Sequence, residues 1–115
     1  MTEAQLLPRL LMAASQLGAR LWRNQSGAHR NSRGQWIQYG LAHPGGSDFI
    51  GYVPVTITPE MVGYTVAIFV AIEAKTDHGR VSDAQTHFLE VVTSHGARAG
   101  VARSVDDIRA IVEGV

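Results

Sequence analysis

The residues whose types and spacing could do chemistry in this chain centre on a single lysine. Lys75 is the only lysine among 115 residues, and it follows Glu73 by two positions, where a long apolar run meets a polar turn. An ammonium is a compact point charge, whereas a guanidinium is a planar group that stays protonated, so the two are not interchangeable at a reacting centre. Side chains two apart on a strand point the same way, so Lys75 and Glu73 are expected on one face. Their placement indicates a reaction centre; the alternative is an exposed ion pair that contributes little stability.

A second carboxylate, Asp48, follows a Gly-Gly turn and lies at the start of the segment 47–53. If that segment pairs with the apolar segment 64–73 as an antiparallel neighbour, Asp48 and Glu73 meet at one edge of a sheet. Two carboxylates and a backbone carbonyl suit Mg²⁺, which prefers oxygen ligands and keeps several waters. A metal at this edge would activate water and stabilise charge that develops on a phosphate. The lysine would orient the water or stabilise the same charge.

Strands and helices must position these residues, and the apolar pattern predicts where those elements lie. It predicts a helix over 2–17, short strands at 20–24 and 36–39, an exposed loop at 25–34, a strand at 47–53, a strand at 64–73 covered on both faces, a helix from 82 to about 96, a strand at 97–102 and a helix capped by Ser104. Ser82 and Gln85 form a capping-box pattern at the start of the second helix. The order αββ(β)αβα predicts an α/β fold with a mixed β-sheet flanked by helices.

Length and composition limit the class of protein. The chain is long enough for one domain, residues 1–115, with one core. It has no cysteine, which excludes disulfides, thiolate zinc sites and cysteine nucleophiles. The amino-terminal segment is too polar to span a bilayer, so we expect a cytoplasmic protein. The five histidines show no metal-binding spacing.

The charges are segregated along the chain although the formal net charge is zero. Residues 4–47 contain no carboxylate but carry five arginines, whereas nine carboxylates follow from Asp48 onward. Such asymmetry between halves points to contact with a polyanion. The alternative is that the arginines are ordinary solvated surface, because a basic stretch attracts anions without identifying one.

Three segments, 45–51, 71–76 and 79–89, together resemble the VRR-NUC domain of the PD-(D/E)XK nuclease superfamily. The resemblance rests on Gly-Gly-Ser-Asp48, on Glu73-Ala74-Lys75 and on a following helix with Gln85, and it extends over almost the whole chain. The chain is most similar to the short stand-alone versions carried by bacteriophages. The resemblance implies a restriction-endonuclease-like fold, and a structure-specific DNA endonuclease similar to the homodimeric Holliday-junction resolvases.

The resemblance also implies roles for individual residues. Asp48, Glu73 and the Ala74 carbonyl would hold Mg²⁺ or Mn²⁺, Lys75 would be the catalytic lysine, and Gln85 would face the site. Ala74 departs from the family pattern, in which Val or Ile is commoner, and should loosen packing more than it affects chemistry. Gln85 is equally explained by its capping-box position.

Other residues are assigned by the same resemblance or by charge. Glu3 would add an acid from the first helix, although the helix dipole alone favours an acid there. Four arginines are expected to contact phosphates: Arg23, Arg30, Arg33 and Arg80. Trp22 and Trp36 are expected in the core or a dimer interface rather than as stacking platforms for bases.

The expected partner is DNA, with branched DNA favoured, and neither a membrane nor an organic cofactor is expected. Two alternatives stay open at this point. One is a non-catalytic DNA-binding or assembly module that keeps the fold. The other is a nuclease that acts on flapped or linear DNA.

Overall fold

The computed structural model describes residues 1–114, and these residues form a mixed α/β structure. The elements, in chain order, are α1 (Glu3–Gln16), β1 (Arg20–Arg23), β2 (Gly27–Arg30), β3 (Trp36–Tyr39), β4 (Phe49–Tyr52), a 3₁₀ turn (Pro59–Met61), β5 (Val70–Ala74), α2 (Asp83–Ser94), β6 (Arg98–Ala102) and α3 (Val105–Glu113). The α/β class is therefore confirmed. The chain forms two compact units, Met1–Val53 (unit 1) and Pro54 onward (unit 2), and the assignment of residues 1–115 to one domain stays a prediction.

Unit 1 contains α1 and two antiparallel strand pairs. Helix α1 begins with a capping box, in which the Gln5 amide nitrogen donates to Thr2 Oγ1 and the Thr2 amide nitrogen donates to Gln5 Oε1. β1 pairs with β4, and Gly51 of β4 lies so close to the Arg20 carbonyl that a Cβ would collide with it. A glycine is therefore required at this position for the two strands to approach.

The segment 25–34, expected as an exposed loop, contains strand β2. β2 pairs antiparallel with β3 to form a hairpin. The sequence pattern misses β2 because its four residues, Gly-Ala-His-Arg, have low strand propensity and depend on cross-strand contacts.

Unit 2 is built on a parallel pair of strands joined by a helix. β5 and β6 run in register from Val70 with Arg98 to Ala74 with Ala102, and α2 forms the crossover between them. α2 and α3 both pack against β6. Val92 of α2 and Ala102 of β6 are the buried apolar residues of the described chain, at 1% and 6% exposure.

Two expectations about the strands are wrong. The expected strand 64–73 begins only at Val70, and Val66, Ile68 and Val70 are 49%, 41% and 42% exposed, so the segment is not covered on both faces. In residues 1–114 the sheets are three two-stranded pairs, which join β4 to β1 and β5 to β6 rather than β4 to β5. β5 and β6 can pair in parallel because the helix α2 connects them. A short turn between two strands would allow only antiparallel pairing.

Candidate active site

Three predicted site residues come together at the carboxyl end of β5. Glu73 Oε1 accepts a hydrogen bond from Gln85 Nε2 at 2.9 Å and lies 3.4 Å from Lys75 Nζ. The side chains of Lys75 and Glu73 are only 22% and 29% exposed. An ion pair at this depth is less screened by water than a surface pair. The arrangement fixes a carboxylate and an ammonium side by side.

The end of strand β5 sets the direction of these side chains. Lys75 follows the last residue of β5, and its amide nitrogen donates to the Ala102 carbonyl at 3.1 Å, which prolongs the pairing with β6. Glu73 and Lys75 therefore lie on one side of the extended backbone, as their spacing predicts. Beside them is a small cavity lined by Ala71, Ile72, Glu73, Ala84, Gln85, Phe88 and Leu89.

Gln85 uses both ends of its side-chain amide. Its Oε1 accepts a hydrogen bond from the Ser82 backbone nitrogen at 2.9 Å, and the Gln85 backbone nitrogen donates to Ser82 Oγ at 3.1 Å. This is the capping box of α2. Its Nε2 donates to Glu73. Gln85 therefore caps α2 and contacts Glu73 at the same time, and its role in catalysis stays a prediction.

Arg103 holds the loop that follows Lys75, and sequence reasoning missed it. Its Nη1 donates to the carbonyls of Thr76 and Gly79 at 2.5 and 2.9 Å, and lies 3.4 Å from that of Asp77. Arg103 directly follows β6, the parallel neighbour of β5. Parallel strands end at the same edge of a sheet, so a basic residue after β6 is a signal that could have found it.

Asp48 lies in unit 1, immediately before β4, and is paired with an arginine. Arg23 Nη1 donates to Asp48 Oδ1 at 3.0 Å and to the Asp48 carbonyl at 3.1 Å. The Asp48 side chain is 60% exposed and that of Arg23 39%. Arg23 thus neutralises the carboxylate in this structure. Its assigned phosphate contact, and the convergence of Asp48 with Glu73, stay predictions.

Asn24 organises the loop that leads to Asp48, a role that was not predicted from the sequence. Its Nδ2 donates to the carbonyls of Leu41 and Ser47 at 3.0 and 3.1 Å, and its Oδ1 accepts from the Leu41 amide at 2.8 Å. A Cβ at Gly46 would collide with the Leu41 carbonyl, so a glycine is needed there. The sequence signal for this role is an asparagine directly after the end of β1, because short polar side chains there often form hydrogen bonds to loop backbone groups.

The other predicted residues lie on exposed segments. Glu3 occupies the first turn of α1. Arg30 ends β2, and Arg33 lies in the turn between β2 and β3. Arg80 lies in the exposed segment before α2. The roles given to these four residues stay predictions.

The oxygen atoms at the end of β5 are donors of the kind that the predicted Mg²⁺ or Mn²⁺ prefers. Residues 1–114 contain no group of three or more His, Cys, Asp or Glu side chains that could hold a metal ion. The Glu73 carboxylate and the adjacent Ala74 carbonyl are hard oxygen donors, and Mg²⁺ is commonly held by one or two carboxylates with several waters. In donor chemistry, this part of the site fits Mg²⁺ or Mn²⁺.

Within residues 1–114, no helix is long and apolar enough to cross a membrane.

Comparison with known protein families finds one match. The family described as the VRR-NUC domain matches residues 2–106, which include all the candidate residues from Glu3 to Arg103. Comparison with curated proteins and with solved structures gives no match.

Proposed function

Because the chain belongs to the VRR-NUC family of the PD-(D/E)XK nuclease superfamily, its function is of the nuclease type, and we propose that it is a metal-dependent DNA endonuclease. The reaction is hydrolysis of a phosphodiester bond. The observation that carries this proposal is the half-buried cluster of Glu73, Lys75 and Gln85 at the end of β5. A carboxylate held by an amide beside an ammonium is suited to phosphate chemistry, because it offers an oxygen ligand and a positive charge together.

The donor groups proposed for the metal are the carboxylates of Asp48 and Glu73 and the carbonyl of Ala74. A bound Mg²⁺ or Mn²⁺ would supply two effects, polarisation of the scissile phosphate and a lowered pKa of a coordinated water. Gln85 fixes the Glu73 carboxylate by donating a hydrogen bond to Oε1, and Glu73 Oε2 is the oxygen proposed to bind the metal. Gln85 is in this sense a positioning residue.

Lys75 is proposed to act on the water and the phosphate. Its ammonium is an exclusive donor, so it can orient the attacking oxygen and stabilise the negative charge that grows on the phosphate in the transition state. Glu3 is proposed as an additional acid near the site. Arg23, Arg30, Arg33 and Arg80 are proposed to contact DNA phosphates, which fix the orientation of the substrate without reading its sequence.

Branched DNA is the proposed substrate, and a homodimer is the proposed assembly. Both proposals are supported by the resemblance to stand-alone resolvase-like members of the family. A location in the cytoplasm, of a bacterial host if a phage encodes the chain, belongs to the same proposal.

The test is cleavage of junction, flap, nicked and linear DNA by wild type and by Lys75→Ala. We expect the variant to lose at least about 10²-fold in metal-dependent cleavage of branched DNA, the size typical of a lost donor that stabilises transition-state charge, while its DNA binding is retained. Arg109→Ala is the matched control, because it removes a positive charge from an exposed pair in the same unit. Undiminished turnover by Lys75→Ala would rule out the role given to Lys75.

A non-catalytic DNA-binding or assembly module is the second candidate. It would act through the basic amino-terminal half, because residues 4–47 carry five arginines and no carboxylate. Calorimetric titration with Mg²⁺ or Mn²⁺ separates the two. Heat of binding that is lost in Asp48→Asn supports the nuclease, whereas no heat from either protein supports the module.

A further inference from the structure

The hairpin of β2 and β3, residues 27–39, has a basic tip whose turn is held by hydrogen bonds. Asn31 organises the turn: its Oδ1 accepts from the amide nitrogens of Arg33 and Gln35 at 2.9 and 3.0 Å, and its Nδ2 donates to Gln35 Oε1 at 3.0 Å. The Gly34 backbone adopts a φ of +75°, which favours glycine, and its amide donates to the Asn31 carbonyl at 3.0 Å. The turn therefore presents its side chains from a fixed backbone.

One face of this hairpin carries an arginine packed on a tryptophan. Arg30 and Trp36 are cross-strand partners, and the Arg30 guanidinium carbon lies 4.8 Å from the centre of the Trp36 ring. Arg30 Nη1 also donates to the Gly34 carbonyl at 3.2 Å, which holds the guanidinium in place. Trp36 is 64% exposed, so it is not a core residue of the described structure. An indole that packs against a cation on one face and is otherwise open to solvent can stack a second planar group on its other face.

The opposite face is aromatic as well. His29 and Tyr39 lie with ring centres 5.8 Å apart, and Tyr39 extends across Gly27, where any Cβ would meet its hydroxyl. Tyr39 and Ile37 are 47% and 39% exposed. Both faces of this two-stranded hairpin thus carry aromatic rings exposed to solvent, and contiguous exposed apolar surface can mark a binding site.

Resting on the proposed nuclease function, we propose that the β2–β3 hairpin is a base-stacking element that binds DNA at unpaired bases. The face of Trp36 not covered by Arg30 stacks on an unpaired base, and Arg30 and Arg33 contact the neighbouring phosphates. A base inside a duplex is already stacked on both of its faces, whereas a base at a loop, gap or junction has a free face. Stacking on an aromatic ring accepts any base, because every base has a π-face.

Charge favours DNA over a second copy of this chain as the occupant of the hairpin. Residues 4–47 contain five arginines and no carboxylate, and three of their basic side chains, His29, Arg30 and Arg33, lie on this hairpin or its turn. Contact between two identical hairpins would bring like charges together, which is unfavourable. The phosphates of a polyanion such as DNA would instead be neutralised by these positive charges.

The experiment measures binding without cleavage, in EDTA, to a fluorescent duplex and to the same duplex with an internal unpaired loop. We expect wild type to bind the looped DNA more tightly. Trp36→Leu keeps apolar bulk but removes the ring, and we expect about 5- to 150-fold weaker binding to looped DNA with duplex binding unchanged. Trp36→Phe keeps a ring and retains most of the preference.

Two further variants separate stacking from charge and from folding. Arg33→Ala removes only a phosphate contact, so it should weaken binding to both DNAs equally. Arg30→Lys keeps the charge but loses the planar group that packs on Trp36, so it should reduce the preference for looped DNA. Circular dichroism and thermal unfolding establish that each variant is folded; Arg30→Lys tests the proposal even if Trp36→Leu does not fold.

Three outcomes would overturn the proposal. Wild type shows no preference for looped DNA, Trp36→Leu and Trp36→Phe bind it equally, or Trp36→Leu lowers the sedimentation mass, which makes the hairpin a contact between copies of this chain. Cleavage by wild type with Mg²⁺ or Mn²⁺ is measured separately, and the proposed function stands in any of these cases if wild type still cuts DNA. If wild type neither binds nor cuts any DNA, both proposals fail.

Discussion

At the scale of the residue, Gln85 joins the start of a helix to the carboxylate of the site. Its backbone amide and Oε1 complete the capping box with Ser82, and its Nε2 donates to Glu73. A change of Gln85 therefore affects stability and chemistry together. The Ser82 hydroxyl belongs to the capping box, so a change at Ser82 tests the contribution to stability separately.

We predict that Gln85→Ala lowers cleavage about 10- to 100-fold, because Glu73 loses the donor that orients it. It should also lower the free energy of unfolding by about 0.5–1.5 kcal/mol, the usual net contribution of one hydrogen bond, because the Ser82 amide nitrogen loses its acceptor Gln85 Oε1. Ser82→Ala is the matched control. It removes the hydroxyl that caps α2, so it should lower the free energy of unfolding by about 0.5–2 kcal/mol in urea titration but keep nearly wild-type turnover. Equal turnover by both variants would leave Gln85 as a capping residue alone.

Glu73 and Lys75 could be placed on one face from the sequence, whereas Asn24 and Arg103 could not be assigned. A spacing of two on a strand fixes the side independently of the rest of the fold. Asn24 contacts Leu41 and Ser47, which are remote in the chain, so its role becomes visible only when the loop is folded. Asp48 could be singled out, but its ion pair with Arg23 depends on the pairing of β1 with β4.

At the scale of the element, the loop between β5 and α2 is held by Arg103. One guanidinium nitrogen donates to the Thr76 and Gly79 carbonyls, and this loop connects Lys75 to the capping box of α2. A guanidinium can serve several carbonyls at once because its donors point in different directions within one plane. Arg103 is therefore a positioning residue for both ends of the loop.

We predict that Arg103→Ala increases hydrogen exchange at the amides of residues 76–81 and lowers cleavage, while the free energy of unfolding falls by only about 1 kcal/mol. The small stability cost follows from the exposure of Arg103, because exposed hydrogen bonds are replaced by bonds to water. Arg109→Ala, whose arginine pairs with an exposed Asp106, is the control and should leave exchange in this loop unchanged. Unchanged exchange in Arg103→Ala would contradict the role.

Helix starts could be predicted more accurately than strands, and the reason is locality. Thr2, Ser82 and Ser104 cap the three helices, as expected from contacts only three residues apart. Strand β2 was missed, and the strand expected from 64 begins at Val70, because pairing with a distant segment decides where a strand forms. The apolar run 64–73 satisfies a strand pattern over its whole length and cannot mark its own start.

At the scale of the whole molecule, the segregated charges give a prediction about salt. Five arginines and no carboxylate in residues 4–47 favour a polyanion, although the net charge of the chain is zero. DNA binding releases counterions in proportion to the phosphates that the protein neutralises. Net charge alone therefore says little about affinity for this chain.

We predict that Arg33→Ala reduces the slope of log binding constant against log salt by about 1, which is one phosphate contact. Arg109→Ala removes the same charge from a helix in unit 2 that also carries acidic residues, and its slope should match wild type. The slope is measured with duplex DNA in EDTA over a range of NaCl concentrations. An unchanged slope in Arg33→Ala would remove this residue from the phosphate contacts.

The parallel pairing of β5 with β6 has a consequence for the folding of unit 2. These strands cannot pair until the segment 75–97 between them has closed into a loop, and that closure costs entropy before any strand contact compensates it. Early formation of α2 shortens this segment to about 1.5 Å per helical residue and so lowers the cost. The capping box at the start of α2 contains Gln85. The folding step that brings the strands together therefore also positions the Gln85 side-chain amide that donates to Glu73. A helix nucleated one residue later would close the same loop without that partner.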